Sequence, residues 1–96
     1  MTLRFTPRAR NDLRDILEYI AKENPAAADR VRRAFLDAAK LIATRPHLGL
    51  RNAKVPELLS RLVARYPYRI HYRVEVTDVS IIHIRHSARR PWNPEV

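Results

Sequence analysis

Apolar residues at Ala9, Leu13, Ile16, Leu17 and Ile20 recur at the spacing of one stripe along a helix. The positions between them are mostly charged: Arg10, Asp12, Arg14, Asp15 and Glu18. A short β run, LRFT at 3–6, precedes the stripe. Thr6 then offers a hydroxyl to cap the helix, and Pro7 sits in the first turn, where a missing N–H costs nothing. Pro25 keeps Asn24 out of the α region, so the helix ends by Glu23. Asn24 caps a second helix, with Pro25 in its first turn and an apolar stripe at Ala27, Ala28, Val31, Ala34, Phe35, Ala38, Ala39 and Ile42. The connection is short enough to make an antiparallel hairpin, and the alanines allow the helices to approach closely. Pro46 and Gly49, the single glycine, end the second helix.

Beyond a loop at 51–56 the period changes to two. ELLSRLVARY reads as a strand whose facing is blurred by the Leu58–Leu59 pair. YRIHYRVE is cleaner: Tyr68, Ile70, Tyr72 and Val74 share one face, and Arg69, His71, Arg73 and Glu75 the other. VTD is a turn, and VSIIHIRH is a further strand on which Ile82, Ile84 and His86 alternate with Ile81, His83 and Arg85. Regular alternation puts His83 and His86 on opposite faces. A bulge or strand end near Arg85 would break that rule. The order strand, helix, helix, strand, strand, strand predicts an α+β domain spanning 1–96. Its N-terminal strand and antiparallel helical hairpin go with a small antiparallel sheet, β-α-α-β-β-β.

Composition narrows the chemistry. With no cysteine there is no disulfide framework and no thiolate metal site. No apolar run reaches membrane-spanning length and no signal-peptide pattern opens the chain, so a soluble cytoplasmic protein is expected. Nineteen Lys+Arg against ten Asp+Glu give +9 at pH 7, and sixteen of the cations are arginine. Residues 45–96 contribute +6 of that charge. An arginine-rich excess suits a polyanionic partner, either nucleic acid or an acidic protein. The densest cluster is HIRHSARRPW, with His83, Arg85, His86, Arg89 and Arg90 followed by Trp92.

Four segments in this order carry a resemblance: ARNDLRDILEYIAKENPAAADRV at 9–31, RPHLGL after the second helix, YPYRIHYRV at 66–74, and VSIIHIRHSARRPW at 79–92. Together they resemble the RelE/ParE superfamily of toxins from type II toxin–antitoxin modules, closer to the ParE branch. The resemblance covers nearly the whole chain. It implies a small basic domain with a helical hairpin on a sheet, silenced by a cognate ParD-like antitoxin whose tail wraps the toxin. Contact with operator DNA would then pass through the antitoxin. It also implies one of two activities: inhibition of DNA gyrase in ParE-type members, or ribosome-dependent mRNA cleavage in RelE-type members. A third possibility is a non-toxic co-regulator that only binds antitoxin.

Metal-free RNA cleavage needs a base, an acid and cations around the phosphorane. Glu57, Arg61, Arg65, Tyr68, His71, His83, Arg85 and His86 are candidates, with Glu57, Arg61, Arg65 and His86 the set for a ribonuclease. His71 and His83 also read as solvated or capped side chains. His86 stands where ParE-like sequences show a histidine three residues before an arginine, here Arg89. This fits orientation of the C-terminal segment as well as target contact. Few lysines and no evident acid–base pair favour the gyrase reading, with Arg85, His86, Arg89, Arg90 and Trp92 as target contacts. Trp92 has two readings: a projecting hot spot, or an anchor that packs the tail back on the domain. The expected antitoxin contacts are Leu13, Leu17, Ile20, Val31, Phe35, Arg69 and Arg73. The histidines at 47, 71, 83 and 86 lack metal-ligand spacing, and no cofactor motif appears.

Overall fold

The structure, a computed structural model, describes residues 1–88 and 92–94. Its elements run β1 (Thr2–Phe5), α1 (Pro7–Glu23), α2 (Pro25–Thr44), a 3-10 turn (Pro46–Leu48), β2 (Leu50–Arg51), β3 (Leu58–Leu62), β4 (Tyr68–Val74) and β5 (Asp78–His86). Local chemistry sets the helix ends where the sequence places them. The Thr6 hydroxyl accepts from the Ala9 amide at 3.1 Å and Pro7 opens α1. Asn24 serves both helices: its amide donates to Ile20 at 2.9 Å, closing α1, and its side chain accepts from the Ala27 amide at 3.0 Å, opening α2.

The sheet order is β1-β5-β4-β3-β2. Strands β2 to β5 form the antiparallel meander, while β1 lies parallel to β5, with Thr2 opposite Asp78 and Phe5 opposite Ile81. The α+β order is the expected one. The sheet is mixed rather than antiparallel throughout, because β1 adds to the free edge of the last meander strand, β5, and runs parallel to it. The two-residue β2 arises from the segment around Gly49.

Val31, Phe35, Ala38 and Ile42 of α2 pack on Leu59, Ile70, Tyr72, Val79, Ile81 and Ile84 of the sheet, and all are buried. Burial of an aliphatic or aromatic side chain of this kind contributes about 1.5–3 kcal/mol. From α1, Ala9 is wholly buried and Leu13, Ile16, Leu17 and Ile20 are half-buried against the same cluster. No helix among the described residues is long and apolar enough to cross a membrane.

One irregularity decides where the histidines go. Tyr72 pairs with Ile81 and His71 with His83, so Ile82 has no partner and forms a bulge in β5. The bulge puts Ile81 and Ile84 together on the core face, contrary to simple alternation, which set Ile81 with His83. Because it lies before His83, it leaves His83 and His86 on opposite faces. Strand β1 ends at Phe5, and the start of α1 takes over the exposed edge of β5. Thr6 donates through its amide to Ile81 at 3.1 Å and through its hydroxyl to Ile82 at 3.2 Å, and Asp12 Oδ2 accepts from the Ile84 amide at 3.0 Å.

Candidate functional site

Ile70 and Tyr72 face the helices, so His71 between them faces away, and its cross-strand partner His83 does the same. The two imidazoles stack with centroids 5.8 Å apart. Trp92 folds back over both, its ring 4.7 Å from His71 and 4.8 Å from His83. The Arg8 guanidinium, from the first turn of α1, lies 5.7 Å from the same indole ring. Under this cover His71 is 7% exposed and His83 9%. Asp12 reaches round the sheet edge, and its Oδ2 accepts from His83 Nδ1 at 2.7 Å. That bond fixes the tautomer of neutral His83 and leaves Nε2 as the acceptor. His71 Nε2 is buried without a hydrogen-bond partner among the described residues.

The electrostatics follow from this placement. Burial, then the neighbouring His83 and the guanidiniums of Arg85, Arg69 and Arg8, push the His71 pKa down to about 4. His83 is also lowered by burial, with Asp12 opposing that shift and Arg8 and Arg85 reinforcing it. Both rings are therefore neutral at pH 7. Beside them, Arg69 donates to the Ser60 hydroxyl at 2.8 Å.

His86 lies on the other face. It meets Tyr68 edge-on at 5.5 Å, Tyr68 in turn packs on Phe35 at 5.5 Å, and His86 Nδ1 accepts from the Ala88 amide at 3.1 Å. These contacts shape the end of β5. A separate open groove of about 520 Å³ is lined by Leu48, Gly49, Leu50, Ser60, Arg61, Leu62 and Arg69. The leucines at its rim are exposed.

The structure separates several residues that the sequence groups together. Glu57 precedes β3, whereas Arg65 follows it and His86 pairs with Tyr68 at that same far end. The strand between them spans roughly 15 Å, so Glu57, Arg61, Arg65 and His86 do not converge on one phosphate. Arg65 sits in the β3–β4 turn with φ 73°, a left-handed conformation that costs a non-glycine residue about 1 kcal/mol. Trp92 does not project; it packs back on the sheet, and Arg85 is half-buried near His71 and His83, on the face opposite His86. Arg89 and Arg90 lie outside the described residues. Val31 and Phe35 are interior and offer no surface to a partner. Leu13, Leu17 and Ile20 keep part of their surface, Arg73 is exposed and Arg69 is half-buried.

Sequence reasoning places Asp12 among solvent-facing charges and does not single out Arg8 or Ser60. The missed signal is helical phase: Asp12 stands three residues after buried Ala9 and four before Ile16, on the inward side of the stripe.

A family profile described as "ParE toxin of type II toxin-antitoxin system, parDE" matches residues 3–91. The chain belongs to the ParE toxin family. It is thus a toxin of the ParE/RelE group of type II toxin–antitoxin systems. Toxin RelE3 of Caulobacter vibrioides is 34% identical over 84 residues, covering 88% of this chain and 91% of the relative. Toxin RelE2 of the same organism is 38% identical over 85 residues, covering 88% and 93%. Putative toxin Y4kP of Sinorhizobium fredii is 35% identical over 94 residues, covering 98% and 94%. Among solved structures, a chain of the chromosomal ParDE toxin–antitoxin system from P. aeruginosa superposes with a TM-score of 0.78 at 23% identity, covering 90% of this ParE-family toxin and 95% of that chain. At that identity the match speaks for the fold.

Proposed function

We propose that this ParE-family toxin acts by binding DNA gyrase and inhibiting it, and that a ParD-like antitoxin silences it by tight binding. The observation that supports a binding rather than a cleaving toxin is the closure of the histidine pair. His71 and His83 are the side chains best suited to acid–base work, yet both are buried beneath Trp92, and His83 is committed to Asp12. A general base must reach the proton it abstracts and titrate near the working pH, and His71 is held at about 4. The exposed cations that remain suit contact with a macromolecule. The antitoxin tail would use the half-buried Leu13, Leu17 and Ile20 together with Arg69 and Arg73, and it would carry acidic residues to match the +9 chain.

The names of two relatives, Toxin RelE2 and Toxin RelE3, favour mRNA cleavage on the ribosome as the second reading. Purified toxin tested in DNA supercoiling and cleavage-complex assays, beside a ribosome-dependent mRNA cleavage assay, separates the two. Loss of supercoiling with intact mRNA is expected. Cut mRNA with unaffected gyrase would establish the second reading.

A further inference from the structure

The contact between Trp92 and the paired histidines brings together groups whose protonation matters, at the point where the indole is seated on the sheet. We propose that Trp92 and the His71–His83 pair form a proton-operated latch, which holds the indole on the outer sheet face while both imidazoles are neutral and releases it when His71 takes up a proton. The proposal is independent of the toxin's target.

Geometry carries the inference. A protonated imidazole bears N–H groups on both ring nitrogens. His71 Nε2 is buried with no acceptor among the described residues, so a hydrogen placed there stays unsatisfied as long as the indole covers it. The charged groups facing the ring from the packed elements are Arg8 on α1, Arg69 on β4 and Arg85 on β5, and all three oppose a positive charge on His71. Asp12, the carboxylate that α1 contributes, is engaged through Oδ2 with His83 and the Ile84 amide. The indole already carries the Arg8 guanidinium, so a second cation on its surface gains less than a first. Lifting Trp92 opens the imidazole to water, which supplies the missing acceptor. The proton comes from solvent and no other bond changes.

The sign is set by the two forms. The closed form holds the His71 pKa at about 4, below its ordinary value of 6.5. Closure is therefore fully favoured above about pH 6.5 and weakens as pH falls toward about 4, by at most tenfold per pH unit. The closed-to-open ratio falls by at most about 300-fold across that window, and by less where the guanidiniums still act on the uncovered ring.

Trp92 is the single tryptophan of the chain, so its emission reports the latch directly. The experiment follows acrylamide quenching and emission maximum of the full chain from about pH 7.5 to about pH 4.5, with far-ultraviolet circular dichroism alongside. The expected result is an acrylamide quenching constant that rises about threefold or more, with a red shift, while the dichroism is unchanged. His71→Phe should keep Trp92 protected over the same range. A Trp92 that stays protected at the acid end with the fold intact would overturn the proposal. So would quenching that is already maximal at pH 7.5, or a loss of dichroism at the same midpoint. Should His71→Phe fail to fold, imidazole proton resonances of the wild-type chain decide: His71 titrating at its ordinary value while Trp92 remains protected also overturns the latch.

Discussion

Asp12 and His83 are joined at 2.7 Å although 71 positions separate them, and the same carboxylate oxygen also accepts the Ile84 amide at 3.0 Å. One side chain on α1 thereby terminates the open edge of β5 and orients a buried imidazole. Asp12→Ala leaves two buried donors unsatisfied and should cost about 2–3 kcal/mol, far more than an exposed helix position. Asp12→Asn keeps one acceptor and should fall between the two. Urea unfolding of the three chains checks this. A loss within about 0.5 kcal/mol for the alanine variant would return Asp12 to the class of surface charges.

Gly49 is required for space rather than for backbone conformation. A Cβ there would collide with the Tyr72 hydroxyl and stand 2.9 Å from Tyr72 Cζ and 3.0 Å from the Ser60 carbonyl. The Tyr72 hydroxyl meanwhile donates to the Pro46 carbonyl at 2.6 Å. Gly49→Ala should destabilise the fold by about 1–3 kcal/mol, through overpacking. Adding Tyr72→Phe removes the obstructing oxygen, so the double variant should lose less than the sum of the singles. Additive losses in thermal or urea unfolding would contradict the clash.

The two helix caps are unequal. Asn24→Ala removes one side-chain cap bond and should cost about 1 kcal/mol. Thr6→Ala removes a cap and a hydroxyl bond to Ile82 at the bulge, and should cost about 2 kcal/mol. Thr6→Ser, which retains the hydroxyl, should recover most of the loss. Equal destabilisation by the two alanine variants would show that the Ile82 contact contributes nothing.

Charge should govern how fast the antitoxin arrives and apolar contact how slowly it leaves. With a net charge of +9 the association rate of an acidic antitoxin tail should fall as salt rises. Arg73→Ala at an exposed position should slow association, whereas Leu17→Ala should chiefly speed dissociation. Surface plasmon resonance at low and high salt measures both. A salt-independent on-rate would remove the electrostatic part of this reading.

The helical half of the molecule was legible residue by residue, because Thr6, Pro7, Asn24 and Pro25 act through bonds to near neighbours and the stripe to Ile42 follows one period. The meander of β3, β4 and β5 was legible from its period of two and its turns, whereas the two-residue β2 was not. The histidine cluster was not, since it depends on three long-range events that leave little mark on local pattern. The Ile82 bulge shifts the phase of β5, the parallel β1 ends at Phe5 and hands the edge to α1, and Trp92 turns back across the sheet. His71 looked like an ordinary polar-face residue, yet it is buried, with the His83 ring and the returning indole against it. Asp12 carried a detectable signal in its helical phase, while Arg8 and Ser60 carried none.

The central claim is that this ParE-family toxin binds gyrase and does not cut RNA. Expression without its antitoxin, scored in the same cells for the DNA-damage response and for transcript integrity, tests that claim most directly. The account predicts induction of the damage response with mRNA left whole. Cleaved transcripts without any damage response would contradict it.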